Sequence, residues 1–143
     1  MGAAIVIRGL AAVITAMERR ERKVSNSAVN IANKAALMVQ GQAKMIVAVD
    51  TGALSQSITV DPAKQIGKKV EARVYTDKEY APYVEFGTGV RGAATSTHQP
   101  KSGAVSYGDR AGQIAQPFLH PAVELTRPKI NKLAADEIRK GIK

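Results

Sequence analysis

Apolar residues recur at alternating steps of four and three between residues 10 and 45. Only Glu21 and Gln42 are polar in this series, whose spacing places it on one face of an α-helix. A helix of roughly 35 residues would be about 50 Å long, which is more than a small domain covers. We therefore expect part of it to pack on a neighbouring subunit, although the charged cluster at residues 18–23 could instead divide it into two helices. The series consists of Leu10, Ile14, Met17, Glu21, Val24, Ala28, Ile31, Ala35, Met38, Gln42 and Met45.

The period changes to two after a glycine-containing turn at residues 51–54. Polar and apolar residues alternate at 57–60 and again at 69–75, with Pro62 and Gly67 between the two segments. This pattern predicts an antiparallel hairpin with one buried face. Residues 80–86 fit either a third strand or a short helical turn, because their proline favours a turn or a sheet edge.

The segment of residues 87–116 is predicted to be a long flexible loop, since it is rich in small residues and has few large apolar ones. Residues 121–142 then form a helix, with Pro121 in its first turn and Pro128 either kinking it or delaying its start. The sequence thus predicts one α+β domain over residues 1–143. It has a long N-terminal helix, a small antiparallel sheet with the loop, and a C-terminal helix.

The composition predicts a modest core, because the chain has two Phe and no Trp. A small domain of this kind often gains stability from partners, so we expect it to form oligomers. The absence of Cys excludes disulfides and thiolate metal sites. No apolar window of about 18 residues predicts a membrane span, and the first ten residues lack a signal-peptide pattern. We expect a protein made and used in a cytoplasm.

The chain is strongly basic, with 21 basic and 12 acidic residues and a net charge of +9. The basic residues are dispersed, and no aromatic residues lie between them as they do on a base-stacking surface. The charge therefore favours non-specific proximity to DNA or to an acidic protein surface over sequence-specific reading of DNA.

Residues able to perform catalysis are few. His98 and His120 lack metal-ligand spacing, so they are interpreted as a solvated loop residue and a polar residue at a helix start. No serine lies in a nucleophile-elbow pattern. Glu79 and Glu85 could form a carboxylate pair but are more simply surface charges. Glu85 could also pair with a basic residue across a subunit interface. The sequence predicts neither an enzyme nor a bound cofactor or metal.

Three motifs together resemble the small tail-component family of long-tailed bacteriophages. They are Thr51-Gly52-x-Leu54, then Tyr80-Ala-Pro-Tyr-Val-Glu-Phe-Gly-Thr-Gly89, and finally Gln116-Pro-Phe-Leu-x-Pro-Ala122. The order of helix, turn, strands, loop and last helix also fits. Two positions depart from the family pattern, because Ser55 and His120 stand where a basic residue is usual.

The resemblance implies a non-enzymatic virion protein at the head–tail junction, described in this family as a tail completion, tail terminator or neck protein. It implies a homo-oligomeric ring, commonly of six subunits, that closes the tail tube and docks it to the head connector or stopper protein. The motif residues are then expected at a subunit or partner interface. They are Thr51, Gly52, Leu54, Tyr80, Pro82, Tyr83, Glu85, Phe86, Gly87, Thr88, Pro117, Phe118 and Leu119.

Under this resemblance the long loop orders on meeting a neighbour, and its basic residues Arg91, Lys101 and Arg110 face an acidic partner or passing DNA. The protein would assemble in the host cytoplasm and remain in the virion. A head-side adaptor or stopper is the alternative within the same class. A basic nucleic-acid-binding module and a small hydrolase are the alternatives from other classes.

Overall fold

The computed structural model of the chain describes residues 10–47, 52–98, 105 and 107–142. The long first helix, the two-stranded antiparallel sheet and the last helix confirm the predicted α+β class. In chain order the elements are α1 Leu10–Ile46, α2 Ala53–Ser57, β1 Thr59–Ile66, β2 Lys69–Tyr75, α3 Ala81–Phe86, α4 Gly89–Thr95 and α5 Leu119–Ile142.

Helix α1 is continuous over 37 residues, so the alternative of two shorter helices was wrong. It is about 55 Å long at the usual rise per residue. Its packed face, however, lies one position along from the predicted series. Ala36, Val39, Ala43 and Val47 are buried, whereas Met45 is 80% exposed. Small residues on the packed face let the other elements approach the helix axis closely. The spacing of apolar residues alone does not show which face is approached in this way.

Strands β1 and β2 form the predicted hairpin around a turn that contains Gly67. β1 is longer than predicted because it continues past Pro62, where the register shifts between Asp61 and Lys64. A proline, which has no backbone N–H, is tolerated at such an irregularity because the ladder needs no donor there. The backbone N–H of Ala63 donates to Asn33 Oδ1 of α1 at 2.7 Å. This hydrogen bond connects the hairpin to the long helix.

The core lies where the second half of α1 meets α2, α3 and the start of α5. Phe118 and Ile58 are its largest fully buried side chains. It contains few large side chains, as the composition predicts. Its buried members are Val39, Ala43, Val47, Leu54, Ile58, Ala81, Phe118 and Ala122.

Helix α5 packs along α1 and runs antiparallel to its second half, because its beginning lies at the core and Gly141 near its end lies beside Ser27. It begins at Leu119, two residues before the predicted start, and continues through Pro128. Lys34 Nζ of α1 donates to Glu137 Oε1 of α5 at 2.9 Å. Within the part of the chain described, no helix has both the length and the apolar character needed to cross a membrane.

The segment of residues 80–116 contains more helix than the sequence indicates. Residues 80–86, left open between a strand and a helical turn, form the helical turn α3. Helix α4 lies inside the segment predicted as a loop. Residues 110–116 then return along α3 and α4 through backbone hydrogen bonds, such as the one from Gln116 N to Val84 O at 2.7 Å. The small residues of this segment permit the return, because the backbones of the two parts of the chain lie in direct contact.

Candidate functional site

Glu85, at the end of α3, is a buried carboxylate that holds the beginning of α5. Its side chain is enclosed, with the residue only 5% exposed. Its Oε2 accepts hydrogen bonds from the backbone N–H groups of Phe118 at 2.7 Å and Leu119 at 2.9 Å. Its Oε1 accepts a third from the N–H of His120 at 2.9 Å. The solvated interpretation of Glu85 was therefore wrong.

The N-terminus of α5 needs a cap from elsewhere in the chain. The first N–H groups of a helix have no partner within the helix, and a Ser, Thr, Asp or Asn side chain just before it usually accepts from them. Phe118 occupies that place here, and the first turn of α5 has no acidic residue. The carboxylate of Glu85 satisfies three of these donors, and its negative charge is stabilised by the positive end of the helix dipole.

Two histidines cover the other side of the carboxylate. His98 Nε2 lies 3.2 Å from Glu85 Oε1, and its ring stacks on that of His120 with centroids 4.1 Å apart and planes 17° apart. The ring of Phe86 lies 4.8 Å from that of His98. His98 is thus half-buried and held in place, not the solvated loop residue expected. His120 lies at a helix start, as expected.

The stability of the fold should decrease as the pH is lowered, and His98 should contribute to this decrease. Burial, and then the neighbouring His120, lower the pKa of His98 from its usual range, and Glu85 opposes both without reversing them. The unfolded chain then binds more protons than the folded one once the pH falls below about 6.5, so stability is full above that pH and declines below it.

A His98→Asn variant should show a shallower loss of stability than the native protein between pH 7.5 and pH 5.5. The measurement is the urea midpoint at each pH. Carboxylates titrate in both proteins, so the difference between their two slopes isolates His98. Identical slopes would contradict this assignment.

The Gly87-Thr88-Gly89 segment joins α3 to α4 by close backbone packing. Thr88 N–H donates to Gln113 O at 2.9 Å, and Gln113 N–H donates back to Thr88 O at 3.0 Å. Gly87 is buried at φ 68° and ψ −173°, a conformation open in practice only to glycine. A Cβ at this position would lie 2.5 Å from Gln113 O. This segment therefore fixes the return of the chain and supports the cap of α5.

The described motif residues expected at an interface divide into three groups by burial. Leu54, Glu85, Gly87 and Phe118 are buried within the chain, so their structural part is to build the core and the cap. The exposed members are Tyr80 and Tyr83. The half-buried members are Gly52, Pro82, Phe86, Thr88, Pro117 and Leu119. The structure brings the second and third motifs together through Glu85, and Leu54 joins them through the core.

Among the basic residues assigned to the loop, Arg91 and Arg110 are both exposed. Backbone hydrogen bonds from Val90 N to Arg110 O and from Arg91 N to Ala111 O place the two arginines on neighbouring segments. Their contact with DNA or an acidic partner stays a prediction. Thr51 and Lys101 lie outside the described residues.

The acidic side chains considered as candidates for chemistry have other places in the structure. The described residues contain no group of three or more His, Asp or Glu side chains able to hold a metal ion. The carboxylate of Glu85 is occupied by backbone donors, and Glu79 is exposed at the surface. The site that the motifs define is thus a structural junction between α3, α4 and α5.

Comparison with known proteins identifies the class. The family model described as "Bacteriophage HK97-gp10, putative tail-component" matches residues 11–87, slightly more than half of the chain. The matched range runs from α1 to Gly87 and includes Glu85, whereas α5 lies beyond it. No curated protein matches the chain, and no solved structure does.

An α+β domain with this match is a structural protein of a bacteriophage tail, and hence a component of the virion that contacts other virion proteins. The chain belongs to the HK97-gp10-like tail-component family. Membership of a structural family favours a non-enzymatic protein.

Proposed function

We propose that this protein ends the phage tail tube and joins the tail to the head, as a ring of identical subunits. Membership of a tail-component family supports the tail role. The ring is supported by the exposure of residues 15–24 of α1, here called the arm, and this is the observation on which the proposal chiefly rests. Every residue from 15 to 24 is exposed, including Met17 at 65% and Val24 at 52%.

A helical arm of this kind is costly for an isolated chain. Apolar side chains on it gain about 25 cal/mol for each Å² removed from water, and the core that stabilises the isolated domain is modest. Contact with another copy would cover the arm. Copies that meet through two different surfaces form a closed ring or an open filament, according to the rotation between them. A ring gives a tube a defined end.

The test uses a deletion mutant of the phage that encodes this protein, in which only the gene for this protein is removed. We expect lysates to contain DNA-filled heads and separate tails in electron micrographs, and purified protein added to them should restore joined particles. The protein should be detected on isolated tails and not on tail-less heads. Joined particles in its absence would contradict the proposal. Protein found on tail-less heads would favour the head-side adaptor or stopper instead.

A further inference from the structure

Residues 15–24 of α1 carry two exposed apolar side chains on one side of the helix. Val24 lies seven positions after Met17, so the two lie on the same side of the helix, with Arg20 and Glu21 between them. Positions i and i+7 are among the anchors by which one helix binds in the groove of a partner. Residues 18–23 carry four basic and two acidic side chains, a local charge of +2.

A mostly apolar pocket lies between the end of β2, α3 and the start of α5. Its volume is about 440 Å³, and its lining includes Val74, Tyr75, Ala81, Pro82, Phe86 and Leu119. Four charged residues also line it, namely Asp77, Lys78, Glu79 and Glu85. Glu85 is held by backbone donors, and the other three give a local charge of −1. Tyr75 is exposed, and so are Tyr80 and Tyr83 on the adjoining turn and helix. Exposed tyrosines beside an apolar pocket are typical of protein–protein interfaces.

The arm and the pocket lie at opposite ends of the molecule. The side chain of Ser25 hydrogen-bonds Gln65 near the hairpin turn, which places the arm beyond that end. Gln40 Nε2 donates to Ile58 O at 2.8 Å, at the end of the hairpin where the pocket begins. Val24 and Gln40 are about 24 Å apart along the helix axis. Because α1 is one continuous helix, the arm cannot reach the pocket of its own chain.

We propose that the arm of one copy binds in the pocket of the next copy, as the head-to-tail contact of the ring. Met17 and Val24 enter the apolar part, and the basic residues of the arm lie against Asp77 and Glu79. Arginine side chains can also stack on the tyrosine rings at the margin. This inference rests on the proposed ring, and it commits to a second copy of this chain as the partner.

Disulfide trapping tests the contact directly, because the chain has no cysteine of its own. Val24→Cys and Tyr75→Cys are made as separate proteins and mixed under mild oxidation, with and without isolated tails. We expect a covalent dimer that forms at least about tenfold faster than chance collision allows, because the two thiols are held together. The control replaces Tyr75→Cys with Ile66→Cys, a more exposed position at the opposite end of the hairpin, so poor access cannot explain slower trapping there.

The double variant Val24→Cys/Tyr75→Cys should give a ladder of covalent multimers, because each copy then offers one thiol to each of its two neighbours in the ring. Equal rates for the Tyr75→Cys and Ile66→Cys mixtures, both with and without tails, would overturn the inference.

A second variant, Met17→Glu/Val24→Glu, changes only exposed residues and should keep the native thermal midpoint. We expect it to fail to restore joined particles in the lysate assay. If it restores them as well as the native protein does, the arm is not the contact, while the proposed function stands. If the native protein itself restores none, the proposed function fails, and the disulfide result still decides whether copies meet through arm and pocket.

Discussion

Replacement of Glu85 by alanine should lower the free energy of unfolding by about 3–5 kcal/mol. The change leaves three backbone N–H groups at the start of α5 without their acceptor. It also removes a negative charge from the positive end of a 24-residue helix and leaves a void beside Phe118. Urea unfolding at pH 7.5, followed by circular dichroism, measures the change.

Glu79→Ala is the matched control, because it removes an exposed carboxylate six positions earlier in the chain. We expect its effect to stay within about 0.5 kcal/mol of zero. Glu85→Gln should lie between the two, since it keeps one acceptor oxygen but turns an amide N–H₂ toward backbone donors. Equal stabilities for Glu85→Ala and Glu79→Ala would show that the cap contributes nothing.

Gly87→Ala should cost about 3 kcal/mol or more. The new Cβ would lie 2.5 Å from Gln113 O, 2.6 Å from Gly92 Cα and 2.7 Å from Ala115 N. All three are backbone atoms, so no side chain can rotate away, and the returning segment has to move. The thermal midpoint and the urea midpoint both report this loss.

Gly67→Ala is the comparison variant, at a glycine with a positive φ but no close contact. Gly67 also has a positive φ, at 62°, but a Cβ there would meet nothing within 4 Å. Its replacement should cost only the conformational penalty of about 1 kcal/mol. The prediction for Gly87 would be wrong if the two variants were equally stable.

The elements that follow from local pattern could be predicted from the sequence. The steps of four and three over residues 10–45 predict α1, and the alternation at residues 69–75 predicts β2. These succeed because period and length alone decide the type of element. The packed face of α1 could not be predicted, because it depends on which small residues meet the other elements. Ala36 and Ala43 lie there, and Met45 does not.

The role of Glu85 could not be predicted from the local sequence pattern, because its hydrogen-bond partners lie 33 to 35 positions away. One signal was present in the sequence. The residues before α5, Gln116 and Pro117 followed by Phe118, include none of the usual capping side chains. A helix that begins without a cap of its own indicates a distant acceptor. The only acid in the Glu-Phe-Gly-Thr motif was the candidate to test.

The cap also sets an order of events during synthesis and folding. Glu85 leaves the ribosome well before residues 118–120, and the intervening segment must close before its carboxylate meets their N–H groups. Closing a loop of about 30 residues costs chain entropy before any contact repays it. We therefore expect α1 and the hairpin, each of whose internal contacts are local, to form first. Helix α5 packs against α1 afterwards. A nascent or truncated chain therefore exposes to solvent the surface of α1 that α5 later covers.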